Sequence, residues 1–262
     1  MVRASRKAGH PQPRLSSVAN AVLLLKAFLD ERVELSFSAL AARSGMSRST
    51  VHRLIWTLTE AGMLERNRET GKYRLGVALF ELASLARPAM DVSFEARPWL
   101  LTLREQTGEA VSLCVLERDG VVCVNFLESS AGGVSSRIGS YRPAHCTAEG
   151  KALSAFQSPV AIERSSGGSL QQHTPRTVFD PAALQEELAT VRVSGYAIED
   201  EEYELGVRGI AAPIKDGRGN AVAAVGIIGP TQRLTRGRLL DLARFVVATA
   251  NGIERKMRRV GS

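Results

Sequence analysis

The feature that most constrains the fold of this 262-residue chain is a pair of short helical segments separated by one glycine turn. Residues 36–45 begin with a serine cap and end at Gly45, and Ser47 caps a further segment that runs to about Glu60. This further segment repeats apolar residues at helical spacing, at Val51, Leu54, Ile55 and Leu58. Two short helices joined by a glycine-containing turn predict a helix-turn-helix.

The flanking segments complete a small domain over residues 14–76. Residues 16–30 have the apolar periodicity of a helix, and residues 63–75 read as a basic hairpin around a Thr70-Gly71 turn. A hairpin after the second helix of the pair predicts a winged helix-turn-helix. Residues 1–13 are polar, basic and proline-containing, and we expect a disordered arm.

The rest of the chain has a different pattern of predicted secondary structure. Residues 77–92 are expected to form a linker, with an amphipathic helix over 77–87 that ends or kinks at Pro88. Residues 93–262 mix helices with apolar hairpins, and we predict an α+β domain with helices at 91–106, 147–156, 180–193 and 235–259. One hairpin is predicted to turn at Asp119-Gly120, which would keep Cys114 and Cys123 from lying directly opposite each other. A Gly/Ser-rich stretch, 129–140, reads as a mobile loop.

Net charge is concentrated in the first third of the sequence. The first 90 residues carry 14 basic and 7 acidic side chains, and the remaining residues carry 20 of each, so the whole excess of +7 lies near the N-terminus. Such asymmetry favours contact between that part and a polyanion. A merely solubilising charge bias is the alternative.

The helix after Ser47 has the side chains that a DNA major groove accepts. Its apolar stripe would pack on the domain, and its other face presents donors to base edges and phosphates. The candidate DNA-binding residues on this segment are Ser47, Arg48, Ser49, Thr50, His52 and Arg53. The wing adds Arg66, Arg68 and Lys72, suited to phosphates or the minor groove. Trp56 is expected to pack against the first helix or a neighbouring chain. A three-helix bundle that only looks like a reader is the alternative.

Composition excludes several other classes. No apolar run approaches the roughly 20 residues of a membrane span, and three cysteines fit a reducing cytoplasm better than a disulfide framework. We expect no cofactor and no metal site, because adjacent residues such as His145 and Cys146 do not normally point at one another. The buried-looking Cys114 and Cys123 are interpreted as small hydrophobes. The acidic run EDEEYE, 199–204, is expected to be a solvated strand end beside Arg208.

The chain resembles the IclR family of transcriptional regulators over almost its whole length. The pieces that carry the resemblance are SRSTVHRL and YRLG in the N-terminal third, and PAHCTAEGKALSAF, LATVRVSGYAIEDEEYELGVRGIAAPI and AVGIIGPTQRLT further on. The resemblance implies a winged helix-turn-helix that dimerises on a palindromic operator, as a homodimer or a dimer of dimers, and a GAF-like effector-binding domain. It therefore implies two partners, double-stranded DNA and a small-molecule effector.

An effector pocket is predicted at the helix that follows Thr147, where Thr147 is the expected cap and free N–H groups attract an anion. The residues assigned to it are Ile138, Tyr141, His145, Cys146, Ala148, Glu199, Gly209, Gly226 and Ile228. Family members often carry hydroxyl side chains at the positions matching Gly226 and Ile228. Their absence here predicts a less polar wall and an effector with apolar or aromatic surface, such as an aromatic acid.

The function predicted is therefore a cytoplasmic, ligand-responsive DNA-binding regulator, more often a repressor in such families, and not an enzyme. The alternatives are a GAF-like enzyme that uses Cys146, with the first domain as a DNA tether, and an architectural DNA binder without a ligand. Loss of activity in Cys146→Ser would indicate the enzyme, and effector-independent affinity would indicate the architectural protein.

Overall fold

The computed structural model describes residues 16–29, 34–84, 87–117, 120–134, 136, 138–157 and 170–260. The chain divides into two compact units, Met1–Leu85 and Ala86–Ser262. The predicted basic arm at 1–13 and Asp119 of the predicted Asp119-Gly120 turn lie outside the described residues.

The described part of the first unit consists of three helices, a two-stranded wing and a fourth helix after the wing. Its elements are α1 (Ser16–Lys26), α2 (Phe37–Ser44), α3 (Arg48–Glu60), β1 (Leu64–Arg66), β2 (Tyr73–Leu75) and α4 (Val77–Ser84). β1 and β2 pair antiparallel, with Leu64 opposite Leu75. This arrangement confirms the winged helix-turn-helix.

Local sequence explains where α2 and α3 begin and end. The Ser36 hydroxyl accepts a hydrogen bond from the Ala39 N–H, and Gly45 ends α2 with a φ of 64°, a left-handed conformation that favours glycine. Ser47 then caps α3 by accepting from the Thr50 N–H. The apolar sides of the three helices and the wing meet in one core, made of Leu24, Phe28, Leu35, Leu40, Val51, Ile55, Leu58 and Leu64.

The second unit is an α+β domain built on one antiparallel sheet. Its elements are α5 (Arg87–Thr107), β3 (Ala110–Glu117), β4 (Gly120–Leu127), β5 (Tyr141–Pro143), α6 (Ala148–Ala155), α7 (Pro181–Ser194), β6 (Ala197–Asp200), β7 (Val207–Lys215), β8 (Ala221–Pro230) and α8 (Arg236–Val260). The six strands lie in the order β5-β4-β3-β8-β7-β6.

Helices cover both faces of this sheet. Ile210, Ala212 and Ile214 of β7 face a core shared with α5 and α8. Ala211, between them, belongs to a second core shared with α6 and α7. Because successive side chains of a strand point to opposite faces, one buried strand supplies both cores. The face under α6 is the one that carries the predicted pocket residues of β7 and β8.

The linker differs from its prediction. Two separate helices are present as predicted, but α4 ends at Ser84 and α5 begins at Arg87 rather than at 91, so Pro88 lies in the first turn of α5 and not at the end of α4. The first turn of a helix tolerates proline because its N–H groups have no partner within the helix. No helix among the described residues is long and apolar enough to cross a membrane.

The β3–β4 hairpin also differs from its prediction. Glu117 pairs with Gly120, so Gly120 belongs to β4 and not to the predicted turn at Asp119-Gly120. Cys114 consequently lies directly opposite Cys123, next to a register shift between Leu113 and Cys114. The expectation that these cysteines would not face each other is wrong, because a one-residue change in the turn moves every pair of the hairpin.

Candidate functional site

The outer face of α3 is an exposed stripe of donor side chains. Val51, Ile55 and Leu58 are buried in the core, whereas Arg48, Ser49, His52 and Arg53 are exposed. Their spacing of three and four residues places these four exposed side chains on one helix face. The structure therefore brings together the residues predicted to read DNA.

Hydroxyl groups cluster where this helix begins. The Ser47 Oγ lies 3.0 Å from the Ser49 Oγ and 2.9 Å from the Thr50 Oγ1, and it also accepts from the Thr50 N–H. Thr50 is only half-exposed. Helix N-termini carry a partial positive charge that attracts phosphate oxygens, so the three hydroxyls stand where a DNA backbone contact is expected.

Aromatic contacts orient two of the donors. The Arg48 guanidinium carbon lies 5.1 Å from the centroid of the Phe37 ring at the start of α2. His52 meets the same ring edge-on, with 6.3 Å between centroids. Both side chains are thus held against α2 and keep exposed donor atoms.

The wing is held in shape by its own polar contacts. The Asn67 Oδ1 accepts from the N–H groups of Glu69 and Thr70, and its Nδ2 donates to the Glu34 Oε1 at 2.6 Å. Arg66 packs over Tyr73 and donates to the Gly71 carbonyl at 3.3 Å. Arg68 and Lys72 are exposed, in positions suited to phosphates.

Trp56 follows Arg53 on the outer side of α3 and is 65% exposed. An indole that packed against the first helix would be largely covered, so that part of the expectation is wrong. Packing on a neighbouring chain remains a prediction.

The predicted pocket residues Ala148, Glu199 and Gly209 come together in the second unit. A β-carbon added to Gly209 would lie 3.5 Å from the Ala148 Cβ and 3.6 Å from the Glu199 Oε2. Ile228 lies opposite Gly209 on β8, and Glu199 lies opposite it on β6. The first turn of α6 and three strands therefore meet at one point of the sheet.

Gly226, two residues before Ile228, lies beneath a carboxylate. A β-carbon there would be 3.0 Å from the Glu149 Oε1, which accepts from the Ser112 hydroxyl and from Arg142 at 3.2 Å. The expectation of a less polar pocket wall is wrong at Gly226. α6 supplies the polar group that β8 lacks, and Glu149, Arg142 and Ser112 were missed because nothing in the sequence signals that they meet.

Glu199 is a buried carboxyl with an open oxygen. Its side chain is 1% exposed, and its Oε2 has no hydrogen-bond partner among the described atoms. Burial and the nearby Glu149 carboxylate raise the pKa of Glu199 to about 8, because both disfavour its charged form. It is therefore mainly protonated at neutral pH and can donate a hydrogen bond.

Thr147 holds the position of the α6 N-cap, but its side chain does not cap the helix. The hydroxyl donates instead to the Pro143 carbonyl at 2.8 Å, which ties the start of α6 to β5. The predicted capping bond is therefore wrong. Without it, the first turn of α6 keeps its capacity to attract an anion.

A buried ion cluster anchors the middle of α6. Lys151, fully buried, donates to Glu187 at 2.5 Å and to Glu202 at 2.7 Å. Glu199 and Glu202 are both buried, so the solvated acidic run was wrong at these positions, although Asp200 does pair with Arg208 at 2.5 Å. Alternation along β6 and its loop sends some of the acidic side chains inward.

His145, Cys146 and His173 converge despite the expectation from sequence. Their candidate ligand atoms lie within 4.8 Å of one another, and the His145 Nε2 is 2.9 Å from the Gln171 carbonyl. Burial, followed by the charge of Glu199, raises the pKa of Cys146 to about 12. A thiol that stays protonated is a poor nucleophile, which disfavours the Cys146 enzyme.

Two predicted pocket residues have different surroundings from the rest. Ile138 is 67% exposed, and Tyr141 is exposed with its ring against Gly120, where a β-carbon would be 2.3 Å from the Tyr141 Cζ. Neither side chain shares the buried environment of Glu199 and Gly209.

Comparison with known proteins agrees with both units. The description "IclR helix-turn-helix domain" matches residues 17–68, and "Bacterial transcriptional regulator IclR C-terminal" matches residues 86–255. The HTH-type transcriptional regulator XynR of Escherichia coli (strain K12) is 34% identical over 231 residues, which is 87% of this chain and 92% of that protein. The transcriptional repressor IclR of the same strain is 29% identical over 249 residues, 92% of this chain and 89% of that one.

A solved structure is similar over the same extent. An IclR homologue from Microbacterium hydrocarbonoxydans, complexed with 4-hydroxybenzoate, superposes with a TM-score of 0.81 and 29% identity, covering 93% of this chain and 99% of that one. These relatives are named as regulators or repressors, and the chain is accordingly a regulator rather than an enzyme.

Proposed function

The chain belongs to the IclR family of DNA-binding transcriptional regulators, and from that premise we propose that it is a repressor whose operator affinity is set by an organic acid, in particular an aromatic one. The observation that carries the proposal is the pairing of two separate sites in one chain. One unit presents an exposed cationic helix, and the other contains a buried carboxyl group with an unpartnered oxygen.

For DNA, we propose that α3 enters the major groove. Arg48, His52 and Arg53 would contact base edges, and Ser47, Ser49 and Thr50 would contact phosphates. Arg66, Arg68 and Lys72 of the wing would contact the backbone beside the site. A homodimer, or a dimer of dimers, would place two such helices about one helical turn (~34 Å) or a multiple of it apart. The protein would act in the cytoplasm.

For the effector, we propose a carboxylate held at the first turn of α6 near Ala148. The protonated Glu199 would donate a hydrogen bond to it, and helix N–H groups would add attraction. Beside Gly209, Ile228 belongs to an apolar group with Ala110 and Val207, against which Phe126 and Val134 also pack. A ligand with an acid at one end and a ring at the other fits these surroundings. The 4-hydroxybenzoate bound to the similar solved structure supports that choice of chemistry.

The effector part is tested by calorimetric titration of the DNA-free, full-length protein with benzoate, 4-hydroxybenzoate, benzamide and short aliphatic acids. We expect the protein to bind an aromatic acid and to bind benzamide more weakly. We also expect Glu199→Ala to bind the aromatic acid more weakly than the unchanged protein does. Glu204→Ala is the matched control, since Glu204 lies in the exposed part of the acidic run. Binding that is equal in both variants would contradict the assignment of Glu199.

The repressor part is tested by a reporter gene under the promoter upstream of the protein's own gene. We expect reporter expression to rise when the regulator is deleted and to fall again when it is restored. Lower expression on deletion would indicate an activator.

A further inference from the structure

Two cysteines lie face to face on neighbouring strands of the second unit. Cys114 on β3 pairs in register with Cys123 on β4, and both are free thiols that are almost completely buried. Neither takes part in the proposed contacts with DNA or effector.

The backbone hydrogen bonds of Cys123 show which type of antiparallel cross-strand pair it forms with Cys114. The Cys123 N–H donates to the Ser140 carbonyl at 3.0 Å, and its carbonyl accepts from the Gly139 N–H at 2.7 Å. Both polar groups of Cys123 thus point away from β3, so Cys114 and Cys123 form a non-hydrogen-bonded pair. In such pairs the Cα atoms are about 4.5 Å apart and the side chains are closest. That separation lies within the range of about 4.4–6.8 Å that disulfides span.

The pKa values of the two thiols are shifted in opposite directions. A hydrogen bond from Cys114 is the main cause of a lowered pKa at Cys123, and the same hydrogen bond raises the pKa of Cys114. The Arg142 guanidinium lies 3.7 Å from the Cys114 Sγ and favours negative charge at the pair. A lowered thiol pKa and a neighbouring thiol both favour oxidation to a disulfide, whereas burial slows it.

We propose that Cys114 and Cys123 are a reversible oxidation site that hydrogen peroxide or an organic hydroperoxide converts to an intramolecular disulfide. The Cys123 thiol loses its proton, and the thiolate attacks the terminal oxygen of the peroxide. The O–O bond breaks, a sulfenic acid forms, and the leaving alkoxide or hydroxide takes up the proton lost by Cys123 and departs as alcohol or water. The Cys114 sulfur then attacks the Cys123 sulfur, the S–O bond breaks, and water leaves with the Cys114 proton. The sum is two thiols and one hydroperoxide giving one disulfide, one alcohol or water, and one water.

The site is linked to the candidate pocket through Arg142. The Arg142 Nη2 lies 3.7 Å from the Cys114 Sγ and donates at 3.2 Å to the Glu149 Oε1, which lies above Gly226. A disulfide removes the thiol from that contact, so oxidation is expected to change effector affinity. This second step rests on the proposed function, whereas the disulfide itself does not.

The test starts from the reduced full-length protein. It is exposed to hydrogen peroxide, denatured in excess iodoacetamide, digested and analysed by mass spectrometry, with dithiothreitol reversal as a parallel sample. The expected result is a peptide pair joined through Cys114 and Cys123, lost on reduction, with Cys146 alkylated. Cys146→Ser should give the same crosslink, and Cys114→Ser should leave a Cys123 sulfenic acid that dimedone traps.

Three results would overturn the inference: full alkylation of both residues after peroxide, a crosslink that involves Cys146, or crosslinks only between chains. Effector affinity is then measured on the oxidised and reduced forms of the full-length protein with its natural cysteines. A confirmed crosslink with unchanged affinity would reject the link through Arg142 while the disulfide stands, and failure of both forms to bind any acid would instead reject the proposed effector.

Discussion

Replacement of Glu149 is the sharpest probe of the buried charges under α6. Glu149→Ala removes the carboxylate that Arg142 and Ser112 share and leaves the Arg142 guanidinium without its ionic partner in a buried site. Breaking a buried ion pair from one side costs about 3–5 kcal/mol, because the remaining charge is neither paired nor hydrated. For a domain of this size, that loss lowers the melting temperature by roughly 6–20 °C.

Two further variants separate charge from packing. Glu149→Gln keeps the shape and the acceptor for Ser112, so it should cost less than Glu149→Ala. The double variant Glu149→Leu with Arg142→Met removes both charges together, and replacing such pairs by apolar residues is often neutral or stabilising. The double variant should therefore be more stable than Glu149→Ala.

Fluorescence can follow this domain alone. The chain has two tryptophans, Trp56 in the first unit and Trp99 in the second. In a Trp56→Phe background, urea unfolding monitored by Trp99 reports the second unit. If Glu149→Ala and the double variant lost the same stability, the cost would come from packing and the argument from ion pairing would be refuted.

Three other predictions follow from single contacts. Because the pKa of Glu199 is raised, the folded state between about pH 5 and about pH 8 holds a proton that the unfolded state has lost, so the free energy of unfolding falls as pH rises through that window. Urea unfolding at a series of pH values should show a smaller fall in Glu199→Gln. An unchanged fall in that variant would contradict the raised pKa. Arg53→Ala should lose about 1–3 kcal/mol of binding free energy on the operator and become less sequence-specific. Lys72→Ala should instead weaken binding to every sequence and reduce the salt dependence by about one ion. Equal behaviour of the two variants in fluorescence anisotropy titrations would reject the division between base and phosphate contacts. Asn67→Ala changes no charge but removes three hydrogen bonds that shape the wing, so it should weaken DNA binding with an unchanged salt dependence, and full affinity would show that wing shape is unimportant.

Local signals in the sequence predicted most of the fold. Serine caps, glycine stops and apolar spacing marked α2 and α3, and Asp180 and Gly195 marked α7, because each of these residues satisfies helix-end groups on its own. The sequence analysis did not predict the short strand β5. A three- or four-residue strand at a sheet edge gains its stability from a partner that is distant in sequence, so it leaves little periodicity to detect.

The same distinction between local signals and contacts distant in sequence applies to the two candidate sites. The DNA face lies within one helix, so periodicity alone placed Arg48, His52 and Arg53 together. The effector site depends on contacts over long sequence separations, and no spacing rule shows that Glu149 fills the room left by Gly226. The facing of Cys114 and Cys123 depended on the position of a single turn residue.

Operator affinity measured with and without bound acid tests the central claim most directly. The full-length protein is titrated by fluorescence anisotropy against DNA from upstream of its own gene and against a scrambled duplex, at two salt concentrations, with saturating 4-hydroxybenzoate or none. A salt-sensitive preference for the upstream DNA, which the acid changes by about 5–150-fold, is the predicted result and corresponds to a coupling of about 1–3 kcal/mol. An affinity for the upstream DNA no greater than for the scrambled duplex, or one unmoved by any acid that binds, would contradict the account.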